Sequence, residues 1–274
     1  MNVGFIGLGS QGAPMAARIG EVFDLAVWAR RPESITSFTG RVARVATSAR
    51  DLATSCDVVC LCVRDDAGVR AVCDGPAGVL AGLAPRAVLV VHSTVHPNTV
   101  RQLAVDAHAS GVEVLDAPVS GANAAAEGRL VTMAGGDQKV FDRVRPILAT
   151  HSDRIFLVGP VGAGQIAKLV NNALFTAHLA LAATALDAGE QLGLARDVLH
   201  QVLSAGSGRS AALELSRRLA VDGLVDRSAA DLLTKDVRLF AGVAAEANVD
   251  AGPLVGPAQR LLDRQPQSTG PPTE

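Results

Sequence analysis

The sequence has little of the clustered positive charge that a nucleic acid or an acidic membrane surface would bind. Its formal net charge is -2, and no basic run is longer than the pair Arg30 and Arg31. Binding to such polyanions usually depends on lysine and arginine gathered into a patch or stripe. We therefore expect a small-molecule substrate and neither a nucleic-acid nor a membrane partner.

The N-terminus lacks the pattern of a secretory leader. It begins directly with the strand-like MNVGFIGLG, without a basic segment, an apolar stretch and a cleavage site in succession. Apolar runs elsewhere look too short to span a bilayer. With 274 residues and 49% hydrophobic composition, the chain can bury one large core or two smaller ones. We expect a cytoplasmic protein.

Cysteine is also scarce. Of four cysteines, Cys56, Cys60 and Cys62 lie in or beside the apolar run DVVCLCV. Alternation along a strand turns Cys60 and Cys62 to the same face, but no cluster of histidines or carboxylates accompanies them to complete a zinc site. We expect buried reduced thiols and no metal.

The first half of the chain alternates strand-like and helix-like segments. The apolar runs are NVGFIGL, LAVWA, DVVCLCV, AVLVVHS and VEVLDA, and segments such as GAPMAARIGEVF and HPNTVRQLAVDAHAS separate them. This rhythm is typical of an α/β Rossmann-type doubly wound sheet, which binds ligands at the carboxyl ends of its strands.

After Gly164 the strand-like runs disappear, and helical segments rich in alanine and leucine continue to about Leu262. The tail QPQSTGPPTE is rich in proline and polar residues, a composition typical of disorder. The sequence therefore predicts a Rossmann-like domain over 1–164, an all-α C-terminal domain over 165–264 and a disordered tail over 265–274.

A glycine-rich loop follows the first predicted strand and opens a helix. It consists of Gly7, Leu8, Gly9, Ser10, Gln11 and Gly12. This is the context in which a GxGxxG loop binds a dinucleotide: its glycines permit the tight turn, the approach of backbone amides to the pyrophosphate, and close packing of helix on strand. A bare glycine-rich turn is the alternative.

The second predicted strand ends in arginines where NAD-binding proteins usually carry an acidic residue. It reads Val27-Trp28-Ala29, followed by Arg30 and Arg31. A guanidinium suits a 2'-phosphate, because it forms charge-assisted and often bidentate hydrogen bonds. We expect NADP rather than NAD; the alternative is that both arginines are solvated loop residues.

A GxGxxxKxxxN string stands where the dinucleotide-binding domain should end: Gly162, Gly164, Lys168 and Asn172. The residues after Gly164 predict a long helix, on which Lys168 and Asn172 share one face. An amine and a carboxamide one turn apart can be aimed at a single oxygen, as protonation of a carbonyl during hydride transfer requires. Ordinary surface polar residues would show the same spacing.

Two more segments carry candidate polar groups. In DAPVSGA, which begins at Asp116, the Ser120 hydroxyl and the amides after it form a turn where a carboxylate could dock; a simple helix cap by Ser120 explains the same residues. Lys235 and Asp236 lie on a predicted helix of the second domain. Such a pair usually belongs to a solvated helix face.

Together these segments resemble the beta-hydroxyacid dehydrogenases, a family that includes 3-hydroxyisobutyrate dehydrogenase and tartronate semialdehyde reductase and is related to 6-phosphogluconate dehydrogenase. Four motifs occur in the family's order over nearly the whole chain: FIGLGSQGAPMA, DAPVSGANAAAEGRLVTMAGGD, GAGQIAKLVNN and KDVRLFAGVAAEA. The resemblance implies reversible hydride transfer between NADP(H) and a small beta-hydroxy acid or its semialdehyde, with Lys168 as acid-base group and Asn172 as its partner.

The resemblance also implies the remaining site. The substrate carboxylate would be held at Ser120 and Gly121, with Ala122 beside them. The cofactor would be bordered by Val63 at the end of the fourth strand, by Ser93 and Thr94, and by Lys235 from the second domain. No metal is needed, because the lysine itself stabilises the oxyanion. The resemblance further implies a homodimer or homotetramer.

Three positions depart from the family pattern: Gln11 replaces a methionine, His92 stands where an acid is common, and Ala122 replaces a second glycine. Because of these changes, an imine or bulky-carbonyl reductase of the same fold is an alternative function. The presence of Lys168 argues against that alternative. A noncatalytic NADP-binding module is the other alternative. We expect His92 to pack behind the site rather than react, because the lysine already fills the acid role.

Overall fold

The computed structural model describes residues 1–38, 42–222 and 227–263. The chain divides into two compact units, Met1–Lys168 and Leu169–Glu274. The tail expected over 265–274 lies outside the described residues.

The first unit is built on a single sheet. Within the described ranges its strands are β1 (Val3–Ile6), β2 (Leu25–Trp28), β3 (Arg44–Val45), β4 (Val58–Leu61), β5 (Val88–Val91), β6 (Glu113–Asp116), β7 (Val119–Ser120), β8 (Leu130–Gly135) and β9 (Ser152–Gly159). Their order is β3-β2-β1-β4-β5-β6-β8-β7, with β9 paired to β8. The six strands from β3 to β6 in this order are parallel to one another, which confirms the predicted Rossmann-type sheet.

Helices flank this sheet, and several of them begin at polar side-chain caps. They are α1 (Gly12–Gly20), α2 (Ala49–Ala53), α3 (Asp66–Cys73), α4 (Pro97–His108) and α5 (Gln138–Leu148), with 3-10 turns at Pro32–Phe38 and Ala122–Ala125. The side chains of Ser48, Asp65 and Asp137 each accept a hydrogen bond from a backbone amide in the first turn of α2, α3 and α5, which satisfies donors that a helix leaves unpaired.

The central strands are buried on both faces of the sheet. Alternation sends Phe5 and Cys60 into one apolar cluster, and Ile6 and Leu61 into a second cluster on the opposite face. Helices must therefore cover both sides, as in a doubly wound sheet. This double burial explains why the strands read in the sequence as nearly continuous apolar runs.

The far end of the sheet was not predicted. β8 pairs antiparallel with β6 and β7, and parallel with β9. β9 alternates between more and less exposed residues over SDRIFLVG, and β7 has two residues. Neither segment resembles the continuous apolar runs that mark the central strands.

The second unit is helical over its described residues. The long α6 (Ala163–Gln191) starts in the first unit and continues into the second, followed by α7 (Arg196–Ala205), α8 (Ala211–Asp222), α9 (Arg227–Glu246) and α10 (Gly252–Asp263). Its small buried cluster contains Ala182, Leu186 and Leu213. The predicted change from alternating strands to helices near Gly164 is confirmed.

By length and composition α6 could cross a membrane, with a mean hydropathy of 1.4 in its most apolar window. The expectation that every apolar run is too short was therefore wrong. A core helix of a soluble protein passes the same test, and 44% of this window is buried here. The feature alone is a weak indication of a membrane span.

All four cysteines are free thiols, as predicted. Cys56, Cys60 and Cys73 are buried, and Cys62 is half-buried. Burial raises the pKa of the Cys62 and Cys73 thiols to about 12. They are therefore protonated at neutral pH and weakly reactive.

Candidate active site

The glycine loop leaves no room for side chains at its two ends. Gly7 has a φ of +99°, and a Cβ there would lie 2.0 Å from the Cys62 carbonyl oxygen. A Cβ on Gly12 would lie 1.9 Å from the Gly7 carbonyl oxygen. Gly9, in contrast, has nothing within 4 Å of a built Cβ. The loop is therefore tightly packed at Gly7 and Gly12, and it is open at Gly9, where a pyrophosphate would lie.

The helix after this loop offers its N-terminus to an anion. Gln11, the N-cap residue, makes no side-chain hydrogen bond to α1, and the first turn carries no acidic residue. The positive end of the helix dipole favours a phosphate at this terminus. These residues fit the predicted dinucleotide.

Arg30 and Arg31 follow the end of β2, and both are exposed. Because β2 lies next to β1 and parallel to it, the arginines emerge at the same edge of the sheet as the glycine loop. This is the edge at which ligands bind in doubly wound sheets.

Next to the glycine loop, the loop after β4 is bound to the loop after β5. β4 ends at Leu61, so Val63 lies in the following loop, and the prediction that it ends the strand was wrong. The Val63 amide donates to Ser93 Oγ at 2.8 Å. Ser93 is buried and Thr94 is half-buried. The Ser93 hydroxyl therefore ties together the loops that follow β4 and β5.

The start of α6 is held by a buried carboxylate. Asp116, the last residue of β6, accepts hydrogen bonds from the amides of Gly162 at 2.7 Å and Gln165 at 2.8 Å. Burial raises the pKa of Asp116 to about 6, and these two amides oppose the shift. A Cβ on Gly164 would lie 2.7 Å from Asp116 Oδ2 and 2.3 Å from the Met133 carbonyl oxygen. Gly164 thus allows a close approach within the protein.

The side chain of Gln165 joins the same helix to the loop after β5. Its Oε1 accepts from the Val95 amide at 2.9 Å, and its Nε2 donates to the Ser93 carbonyl oxygen at 3.0 Å. The residue is completely buried. Two contacts of opposite polarity therefore fix the carboxamide.

Lys168 and Asn172 lie one turn apart on α6, as predicted; Lys168 is half-buried and Asn172 is buried. The Asn172 Nδ2 donates to Asp236 Oδ2 at 2.6 Å, and its Oδ1 accepts from Asn171 Nδ2 at 3.1 Å. The orientation of this carboxamide is therefore set by Asp236.

The lysine-aspartate pair on α9 is not a solvated face. Asp236 is buried, and its Oδ1 lies 2.9 Å from Nζ of the partly buried Lys235. The usual solvated reading of such a pair was therefore wrong. Because an unpaired buried carboxylate is costly, the lysine and Asn172 together stabilise Asp236.

Ser120 is the last residue of β7 and is half-buried. Gly121 follows with a φ of +132°, a conformation that favours glycine, and the 3-10 turn begins at Ala122. The backbone therefore turns sharply at the predicted carboxylate site.

His92 lies in the core of the first unit. Its Nδ1 is 2.8 Å from the Ala117 carbonyl oxygen, so Nδ1 carries the proton and donates. The ring stacks on Phe5 at a centroid distance of 6.2 Å and meets the edge of His151 at 5.3 Å. Burial lowers the pKa of His92 to about 4 and that of His151 to about 3. These are the contacts of a packed, neutral imidazole.

Sequence reasoning assigned no role to Asp116, Gln165 or Asp236. Each stood beside a recognised residue: Asp116 opens the DAPVSG segment, Gln165 separates the glycines from Lys168, and Asp236 follows Lys235. The sequence offered two signals for these residues: Asp116 stands at the end of a predicted strand, and Gln165 stands between the glycines and Lys168. Their partners, distant in the chain, were not visible.

Two family models together match almost the whole chain. A family model described as the NAD binding domain of 6-phosphogluconate dehydrogenase matches residues 2–159. A second, described as NAD-binding of NADP-dependent 3-hydroxyisobutyrate dehydrogenase, matches residues 162–272. The chain therefore belongs to the beta-hydroxyacid dehydrogenase family. It is an NAD(P)-dependent oxidoreductase that acts on CH–OH groups.

Individual relatives cover nearly the whole chain. A 2-(hydroxymethyl)glutarate dehydrogenase from Eubacterium barkeri is 30% identical over 96% of this chain and 88% of its own length. An NAD-dependent L-serine dehydrogenase from Pseudomonas aeruginosa is 33% identical over 92% and 88%. The solved structure of Mycobacterium tuberculosis 3-hydroxyisobutyrate dehydrogenase with L-serine has a TM-score of 0.87 and 28% identity, covering 96% of this chain and 92% of that one.

Proposed function

We propose that this protein is an NADP-dependent dehydrogenase of a small beta-hydroxy acid or its semialdehyde, with Lys168 as the acid-base group. The observation that carries this proposal is the anchoring of α6. Gln165 fixes its first turn to the loop after β5, and Asp116 fixes it to the end of β6. Lys168 lies one turn further along α6, so the backbone that carries its amine is held in place.

The residues divide the chemistry between them. NADP, which the glycine loop, Arg30 and Arg31 would hold, would supply the hydride chemistry in both directions. Lys168 would take the hydroxyl proton during oxidation and, as an ammonium, would protonate the developing alkoxide during reduction. A cation at that position also stabilises negative charge on the oxygen. Asn172, held by Asp236, would hydrogen-bond the reacting oxygen or hold the amine without adding charge.

The turn at Ser120 and Gly121 and the relatives' names support the proposed substrate class. L-serine, 3-hydroxyisobutyrate and 2-(hydroxymethyl)glutarate share a primary alcohol on the carbon beta to a carboxylate. Backbone amides after Ser120 would receive the carboxylate, which leaves the alcohol for Lys168. These three acids differ in the third substituent on the carbon between the alcohol carbon and the carboxylate.

NADP is the proposed cofactor because Arg30 and Arg31 are exposed at the end of β2, where a 2'-phosphate would attract them. We also propose that the protein is a cytoplasmic homodimer or homotetramer with no nucleic-acid or membrane partner. The low net charge supports the absence of a polyanionic partner.

A substrate panel tests the proposal. NADPH oxidation would be followed with C3 to C5 semialdehydes and with cyclic imines, and NADP reduction with the three beta-hydroxy acids named above. We expect turnover of at least one semialdehyde and its beta-hydroxy acid. Turnover of imines alone would replace the proposed substrate class. Tight NADPH binding without turnover of any panel member would favour the noncatalytic module.

A further inference from the structure

Gln165 binds the end of β6 through its backbone amide and the loop after β5 through its side chain. Among the described residues of α6, it is the one that does both through the contacts given above. The carboxamide offers an acceptor and a donor at the two ends of one planar group. Here the acceptor meets the Val95 amide and the donor meets the Ser93 carbonyl oxygen. Few other side chains can satisfy both partners.

These bonds belong to a continuous series. The Val63 amide donates to Ser93 Oγ, the Ser93 carbonyl oxygen accepts from Gln165, and the Gln165 amide donates to Asp116. The series runs from the loop after β4, through the loop after β5, to the first turn of α6 and the end of β6. Every member lies within Met1–Lys168. Gln165 is the member that joins the helix to the loop.

We propose that Gln165 is a positioning residue: it sets the loop at Ser93–Val95 against the first turn of α6, and thereby sets the nicotinamide against Lys168. This inference rests on the proposed function, in which Ser93 and Thr94 border the nicotinamide. Hydride transfer depends steeply on the placement of the reacting atoms, and a displacement of about 1 Å can cost about 100-fold in rate. In this proposal Gln165, which is completely buried, acts through the backbone of Ser93 and Val95 and not on the reacting atoms.

Two substitutions separate the contacts of the carboxamide. Gln165→Glu keeps the shape and the acceptor toward the Val95 amide, but an ionised carboxylate turns lone pairs toward the Ser93 carbonyl oxygen. Gln165→Met keeps the length and removes both contacts. Gln201→Glu, on the exposed surface of α7, is the matched control.

The kinetic test uses the full-length protein and a semialdehyde from the panel. Both Gln165 variants should lower kcat by about 10- to 100-fold and raise the primary isotope effect of C4-deuterated NADPH, because hydride transfer becomes slower. The activity of Gln165→Glu should recover as the pH falls, because a protonated glutamic acid regains a donor for the Ser93 carbonyl oxygen. Gln165→Met should show no such recovery.

Binding of NADPH supplies a readout that does not depend on turnover. Energy transfer from Trp28, the single tryptophan of the chain, reports the dissociation constant, which should stay close to the parent value because the glycine loop is intact. The fluorescence lifetime of the bound nicotinamide should change in both variants and not in Gln201→Glu.

Two results would overturn the inference. One is a lower melting temperature with kcat per binding site, isotope effect and nicotinamide lifetime all unchanged, which would make Gln165 structural only. The other is a large loss of NADPH affinity with kcat unchanged, which would make it a cofactor-binding residue. Failure of the substrate panel alone would remove the proposed function, and the nicotinamide lifetime would still decide whether Gln165 orders that loop.

Discussion

The two units of this chain bury their apolar surface to different extents. In the first unit, β1, β4 and β5 are buried at every position, and large apolar clusters fill both faces of the sheet. The buried cluster of the second unit contains Ala182, Leu186 and Leu213. Large apolar side chains remain exposed there, with Leu181 at 54%, Leu192 at 83% and Val202 at 60%.

This difference separates two sources of stability. A sheet covered on both sides can complete a core within one chain. Apolar positions exposed on a helix raise its free energy in water, and covering them with another surface lowers it. We infer that the first unit supplies a rigid frame for the cofactor loops, whereas the second depends on association with another subunit.

The largest expected effect concerns Lys168, the last residue of the first unit. Lys168→Ala should lower kcat by about 100- to 10,000-fold, because the amine is needed where charge develops on the reacting oxygen. NADPH affinity, measured by energy transfer from Trp28, should be nearly unchanged. Lys168→Arg should rescue little, since a guanidinium stays protonated and cannot act as the base.

Lys139→Ala, on the exposed surface of α5, is the control and should retain parent kinetics. If Lys168→Ala kept kcat within about threefold of the parent, well below the loss expected for an acid-base group, Lys168 would not be that group. The rigid frame would then have to present a different acid.

The second prediction tests whether the exposed apolar surface of the second unit binds another subunit. Light scattering of the parent at micromolar concentration should give a mass at least twice 28.1 kDa. Leu181→Glu and Val202→Glu should shift that mass toward the monomer, because a buried unpaired carboxylate is costly. Val105→Glu is the control, since Val105 is 66% exposed on α4 of the first unit. A monomeric parent would show that the second unit does not depend on association with another subunit.

The same contrast explains how much the sequence predicted. Buried parallel strands have a local signature, and a glycine loop after such a strand has another, so the parallel part of the sheet, the cofactor loop and the helix carrying Lys168 were all recognised. Gln165 meets a partner 70 residues away and Asn172 meets Asp236 64 residues away. Such contacts leave no local pattern, and they are what orients the polar groups of the site.

The third prediction concerns cofactor choice within the first unit. The parent should bind NADPH more tightly than NADH, and Arg30→Ala should reduce that preference by about 1.5 to 3 kcal/mol, the value of a hydrogen bond to a charged group. NADH affinity should not change. Arg143→Ala, exposed on α5, should leave both affinities at the parent value. Equal affinities for the two cofactors in the parent would remove the assignment of Arg30.

The smallest effect is expected in the acid stability of the first unit, where His92 and His151 are buried as neutral rings. The pKa of His92 falls from 6.5 to about 4 on burial, and that of His151 from 6.5 to about 3. Below pH 6.5 the unfolded chain therefore binds more protons than the folded chain, and the free energy of unfolding falls as the pH drops through this range. Asp116 acts in the opposite direction between pH 3.8 and about 6, because its raised pKa lets the folded state bind a proton first.

Urea titrations from pH 7 to pH 4.5 would measure this slope. His92→Phe should make the free energy of unfolding less dependent on pH, because one of the two opposing histidines is gone while Asp116 remains. The variant should also be less stable at every pH by about 1 to 3 kcal/mol, since the Ala117 carbonyl oxygen loses its donor. His108→Phe, at an exposed position of α4, should keep the parent slope. An unchanged slope in His92→Phe would show that the imidazole is not held neutral by burial, and that the core of the first unit admits more water than its packing indicates.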